Sequence, residues 1–318
     1  MHIRRRFLLA TSAAVALLAL AVPRAQPAAA PVGAGVGGSV ALTFDDLPTH
    51  GPLPGALSRA DIAKSLIDTL RAHKAPRVYG FINAKAMVDR PEDGQVLRLW
   101  RDAGFPLGNH AFSHMDLHTN TAEAFQQDIA ANEDTLRTLM GGEDWHWFRY
   151  PYLREGDTPE KHRAVVGFLK ERGYKVAQVT LSFDDYAYND PYARCLAKHD
   201  TASIDWLKQS YETRAEDSLT RGQDASRTLF GRDIKHVMLL HIGGFETVML
   251  PRLLEILERR KFALITLDEA ASDPAYATAV ELTAWNGTFL QQVARARQLP
   301  PPRPADPEFF KKLDALCR

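Results

Sequence analysis

The sequence is poor in cysteine, with only Cys195 and Cys317 in 318 residues. That excludes a disulfide framework and a metal site built from thiolates. The two thiols leave two states open: a bridge tying the C-terminal tail to the body, or a pair of separate groups. No Gly-x-Ser-x-Gly occurs, which disfavours a hydrolase with a serine nucleophile elbow. Net charge is absent as well, since 39 Lys and Arg balance 39 Asp and Glu. Residues 1–30 hold Arg4, Arg5, Arg6 and Arg24 and no acid, so the remainder carries 35 basic against 39 acidic residues. Such a body has no general attraction for nucleic acid or anionic lipid, and a neutral or cationic substrate is expected. Nor is there a long apolar run. The most apolar stretch, Phe7 to about Val22, is short for a membrane span, so no stable membrane insertion is expected.

What is present begins with an export signal. Arg4-Arg5-Arg6, then Phe7-Leu8-Leu9, an Ala-rich apolar middle and small residues describe a signal peptide and leader over residues 1–30. The paired arginines also suit the twin-arginine route, so a periplasmic or secreted protein is expected. With 45% hydrophobic and 25% charged residues, the rest is ordinary globular material. Its length suits one α/β domain of barrel size over residues 31–272, followed by a helical C-terminal extension over 273–318.

Within the body, short β-branched runs alternate with amphipathic helices. Ser39–Phe44 reads as a buried strand ending in Asp45-Asp46, and a helix capped by Ser58 carries Ile62, Leu66 and Leu70 on one face. Strands are expected at 78–82, 105–109, 176–181, 237–240 and 262–266. Helices are expected at 92–103 and 121–140, and from Pro159 to Gly173. Residues 200–230 read as a charged helical insertion over one rim, and 306–316 as a last short helix. The alternation implies a parallel sheet, and about seven strands favour a distorted (β/α) barrel over an open sheet.

In such folds, reactive groups gather at the carboxyl ends of strands. This chain places titratable residues at several of those points: Asp45-Asp46, His110 with His114, Arg149-Tyr150-Pro151-Tyr152, Asp184-Asp185-Tyr186, and His241. Two histidines four apart, with a carboxylate, make a three-ligand set that leaves a coordination position open. Adjacent aspartates at a strand end point apart. One can therefore hold the metal while the other faces the reacting water.

These motifs, in this order, resemble the NodB-type polysaccharide deacetylases (carbohydrate esterase family 4) over roughly residues 39–270. The resemblance implies Asp45 as general base and Asp46, His110 and His114 as ligands of a divalent metal. Zinc is the first choice, and cobalt or another divalent ion is acceptable. It implies that Arg149 pairs with the base, that the Tyr152 N–H helps hold the oxyanion beside Pro151, and that His241 is the general acid. The substrate implied is an N-acetylated glycan, either peptidoglycan or an exopolysaccharide. Three departures stand out. Leu47-Pro48 replaces Gly-Pro, and Ala111 replaces a hydroxyl residue. Ser182-Phe183-Asp184-Asp185-Tyr186 lacks the usual first acid and tryptophan. Asp185 is placed against His241, with Asp184 competing, and Tyr186 as the retained aromatic. Rival readings are a hydrolase of a non-sugar amide or O-acetyl ester on the same fold, and a glycan-binding protein whose chemistry has lapsed. Trp145, Trp147, Trp206 and Tyr188 read as packing, and His50 as a residue close enough to the first motif to touch substrate.

Overall fold

The computed structural model describes residues 37–302 and 306–318, without the side chains of Val280 and Glu281. The export signal and leader expected over residues 1–30 lie outside the described residues. Seven parallel strands form the sheet: β1 (Ser39–Leu47), β2 (Tyr79–Ile82), β3 (Leu107–Asn109), β4 (Trp147–Phe148), β5 (Lys175–Val176), β6 (Lys235–His241) and β7 (Ala263–Leu264). Their order is β5-β4-β3-β2-β1-β6, with β7 against the start of β1. The chain beyond β5 then reaches the free side of β6, where Leu181 bridges Met238 in parallel. Residues 175–181 thus meet both β4 and β6 and close the sheet into the distorted barrel expected from the sequence.

β1 is the axis of this arrangement. Its run Val40 to Thr43 is buried on both faces, as a central parallel strand requires. Val40, Leu42 and Phe44 join the core beneath the helices, while Ala41 joins Tyr79, Phe81, Trp147, Ala177 and Val237 in a second cluster. The strand continues to Leu47, past Phe44. β3 starts at Leu107 instead of residue 105. The Phe105 N–H closes the preceding helix on the Trp100 carbonyl, and Pro106 has no N–H for a ladder.

Two helices differ from expectation for identifiable reasons. The 121–140 helix divides into Ala122–Ala131 and Glu133–Met140. At the break, Asn132 inserts its amide between β2 and β3, donating to the Ile82 carbonyl (2.7 Å) and to Asn109 Oδ1 (2.9 Å) and accepting from the Ala84 N–H (3.0 Å). Thr201–Phe230 is one 30-residue helix that buries Leu207, Tyr211, Ala215, Leu219 and Gly222, so it belongs to the barrel wall. A Cβ on Gly222 would stand 2.2 Å from Leu181 Cδ2, so the helix lies directly on the closing strand. Residues 273–302 and 306–318 pack on the same body. Phe289, Leu290 and Val293 bury with Leu229 and Ile234, and Cys195 and Cys317 form a disulfide. Trp145, Trp147 and Tyr188 are buried in packing, as expected.

Candidate active site

The end of β1 is bent. Register with β2 slips between Phe44 and Leu47, and Asp46 adopts φ +64°, a left-handed conformation unusual for an L residue. The bend overturns the expectation that neighbouring aspartates simply point apart. Nε2 of His110 lies 3.5 Å from Oδ2 of Asp45 and 3.4 Å from Oδ1 of Asp46. Their roles separate through their other partners.

Asp45 faces Arg149, whose Nη1 donates to Oδ1 at 3.2 Å and Oδ2 at 3.3 Å. The guanidinium is buried, and each of its three nitrogens donates. Nε donates to the Ala177 carbonyl (2.7 Å), Nη2 to Thr43 Oγ1 (3.1 Å), and the group rests 4.7 Å above the Phe81 ring. Burial lowers the Arg149 pKa and Asp45 opposes that effect; a guanidinium stays charged regardless.

Asp46 faces the histidines. Its Oδ1 is 3.3 Å from Nε2 of His114 and, although buried, takes no hydrogen bond among the described residues. One atom each from Asp46, His110 and His114 gather within 4.8 Å of one another. The histidines sit in a loop after β3 whose backbone is contorted, with Ala111 at φ +60° and His114 at φ +57°. Strain of this kind persists where the surroundings over-determine it. Asn83 donates to the carbonyls of His110 (2.6 Å) and Ala111 (2.8 Å), and Asp128 accepts from the Ser113 N–H (3.0 Å) and hydroxyl (2.9 Å). A carbonyl only accepts, so His110 Nδ1 donates to the Arg149 carbonyl at 2.7 Å, which turns its Nε2 toward Asp46. Burial pushes the Asp46 carboxyl up, but His110 beside it and the charges of His241 and His114 bring it well below the usual range. Burial, then repulsion from His110, lowers His114 to about 4. Such a set is poised to bind a cation instead of protons.

On the far side of β1, Asp45 is in register with His241 at the end of β6. Asp185 accepts both the His241 N–H (2.6 Å) and Nδ1 (3.0 Å). The pairing selects Asp185 over Asp184, which binds Arg214 at 3.0 Å. Burial opposes the charged imidazole, yet Asp185, with help from Asp46 and Asp45, raises His241 to about 9. Tyr152, at φ +59°, places its exposed ring 4.4 Å from that of His114, just after buried Pro151. Tyr186 packs 5.3 Å from the His241 ring. His50 lies 3.9 Å from Asp46 Oδ2, and burial, followed by the His241 charge, lowers its pKa. Asp45, Asp46, His50, His110, His114, Tyr152, Tyr186 and His241 line one cleft of about 460 Å³. Its far wall comes from the tail, through Gly287, Thr288, Leu290 and Gln291.

A family model described as Polysaccharide deacetylase matches residues 33–177. That stretch, a little under half of the chain, resembles the family. The match takes in Asp45, Asp46, His110, His114 and Arg149, and stops short of Asp185 and His241. A peptidoglycan-N-acetylmuramic acid deacetylase of Bacillus subtilis is 26% identical over 152 residues, covering 48% of this chain and 50% of that protein. A chitin deacetylase of Arthroderma benhamiae is 24% identical over 239 residues, covering 74% and 53% respectively. The chain thus spans about half the length of these curated relatives. Among solved structures, the chitin deacetylase of Colletotrichum lindemuthianum superposes with a TM-score of 0.51 at 21% identity, covering 76% of this chain and 90% of that one. A carbohydrate esterase family 4 pseudoenzyme from Bacillus anthracis gives 0.50 at 14% identity, over 74% and 66%. These two likenesses concern the polysaccharide deacetylase fold alone.

Of the residues singled out from sequence, Asp45, Asp46, His110, His114, Arg149, Tyr152, Asp185, Tyr186 and His241 come together here. Asn83 and Asp128 were not singled out. They are polar residues with no motif spacing, and only the tertiary arrangement gives them partners.

Proposed function

We propose that the protein is an exported, metal-dependent hydrolase that removes acetyl groups from an N-acetylated glycan. One observation carries this reading: within a single cleft, Asp46, His110 and His114 form a ligand cluster, while Asp45 on Arg149 and His241 on Asp185 stand outside it. The donor set fits a divalent ion. Two imidazole nitrogens and a buried carboxylate oxygen without a hydrogen bond suit zinc, and cobalt or another divalent ion is accepted by the same set. When bound, such an ion polarises the acetyl carbonyl and makes water nucleophilic near neutral pH.

The chain's own groups divide the remaining work. Asp45, oriented by Arg149, takes a proton from the water that adds to the acetyl carbon. The Tyr152 N–H meets the carbonyl oxygen as it gains charge; one donor of that kind is worth about 3 kcal/mol. His241, held protonated by Asp185, gives its proton to the nitrogen as the C–N bond breaks, and acetate and a free amino sugar leave. A lapsed binding protein would need neither the Asp45–Arg149 pair nor the His241–Asp185 pair. The test is acetate release from N-acetylglucosamine oligomers and peptidoglycan after metal stripping and resupply. Release that needs metal supports the reading, and none with any metal refutes it.

A further inference from the structure

The reaction just described gives no task to His50, a titratable residue of the cleft. His50 lines the cleft, with its ring 5.4 Å from that of His241 and 5.8 Å from that of Tyr186. Its tautomer can be read from its neighbours. The Phe245 N–H donates to Asn189 Oδ1 at 3.0 Å, which identifies the oxygen end of that amide. Nδ2 of Asn189 therefore faces Nδ1 of His50, at 3.2 Å. An amide NH2 only donates, so Nδ1 accepts and the proton of the neutral ring resides on Nε2.

This clamp is closely built. Asn189 is buried, and a Cβ on Gly243 would come within 2.2 Å of its Nδ2. Gly51, at φ +71°, would bring a Cβ to 3.0 Å from Cβ of Asn189. The His50 N–H is itself anchored on the Ile242 carbonyl at 2.7 Å. With backbone and ring so held, Nε2 stands 3.9 Å from Oδ2 of Asp46, beyond hydrogen-bond reach. Among the described residues, no acceptor bonds it.

We propose that His50 is a substrate-binding residue, a neutral imidazole locked by Asn189 to donate Nε2–H to an oxygen of the bound glycan. The kind of substrate rests on the deacetylase reading; the tautomer and the donor do not. A glutamine amide can present a nitrogen where Nε2 stands, whereas asparagine reaches only the Nδ1 position.

The test compares His50→Gln and His50→Asn in the full chain, with imidazole 15N shifts measured on the metal-free protein. The wild-type shifts should show Nδ1 as acceptor and Nε2 as N–H, and Asn189→Ala should mix the tautomers. His50→Asn should raise the KM for an N-acetylglucosamine oligomer, and its Kd by calorimetry, about tenfold, with a smaller effect on kcat. That is the worth of one neutral hydrogen bond to bound substrate. His50→Gln should retain most of the affinity. A proton on Nδ1, an unchanged Kd in His50→Asn, or a loss confined to kcat overturns the proposal. An inactive wild-type protein that still shows this tautomer and these affinities refutes the deacetylase reading and leaves the His50 assignment standing.

Discussion

Replacing Asp185 by Asn should lower the pKa of His241 by roughly 2 units, because Asp185 is the largest influence that raises it. The structure sets the scale. Burial alone would carry this imidazole below its ordinary 6.5, and two contacts from one carboxylate, at 3.0 and 2.6 Å, help bring it to about 9. Asparagine keeps an acceptor for the backbone N–H but removes the charge, leaving desolvation opposed only by Asp46 and Asp45. A His pKa raised in the folded protein contributes stability that is fully present below 6.5 and lost as pH rises through about 9. The variant should therefore lose most stability below about pH 6.5 and approach wild type above pH 9. Proton NMR titration of metal-free protein reads the midpoint without depending on catalysis. With metal bound, Asp46 pulls less on His241, and the alkaline limb of kcat/KM should still shift down in Asp185→Asn. An unchanged midpoint would refute the argument that Asp185 governs the acid.

Three further outcomes follow from supports around the cleft. Asn83→Ala frees two carbonyls of the histidine loop and should weaken zinc affinity about 10–100-fold, measured against a competing chelator. Cys195→Ser or Cys317→Ser opens a bridge between residues 122 apart in sequence, and should cost about 2–4 kcal/mol in denaturant unfolding while acetate release persists. Gly222→Val drives a side chain into Leu181 and should lower stability by about 1–3 kcal/mol, seen as a drop in Tm.

Much of the fold was legible because its signals are local. The β-branched run of β1 is what a strand buried on both faces requires, and Ser58, Thr158 and Gly173 mark helix ends by chemistry that needs no tertiary partner. The differences arise where tertiary demands override pattern. Asn132 stands on the apolar stripe of Phe125, Ile129 and Leu136, a polar residue in a core position whose purpose is the bond to the neighbouring strand carbonyl. The charged 200–230 segment suggested a surface insertion because its buried face is narrow and rich in small residues, among them Ala215, Ser218, Gly222 and Ser226.

The candidate site was legible through motif order. The left-handed turns at Asp46, Ala111 and His114 were not, since no glycine marks them. Nothing in the sequence separates Asp184 from Asp185; in the fold it is Asp185 that makes two contacts with His241. The tail's place in the cleft wall had no signal in composition or spacing.

The central claim is that Asp45 acts as base beside a metal held by its sequence neighbour, and it is most directly tested by acetate release from N-acetylglucosamine oligomers with zinc- or cobalt-loaded wild-type protein and Asp45→Asn. We expect metal-dependent release by wild type, with zinc bound equally well by the variant and its rate reduced about 10²–10⁴-fold. Release by the variant at the wild-type rate, or by wild type without metal, would contradict the account.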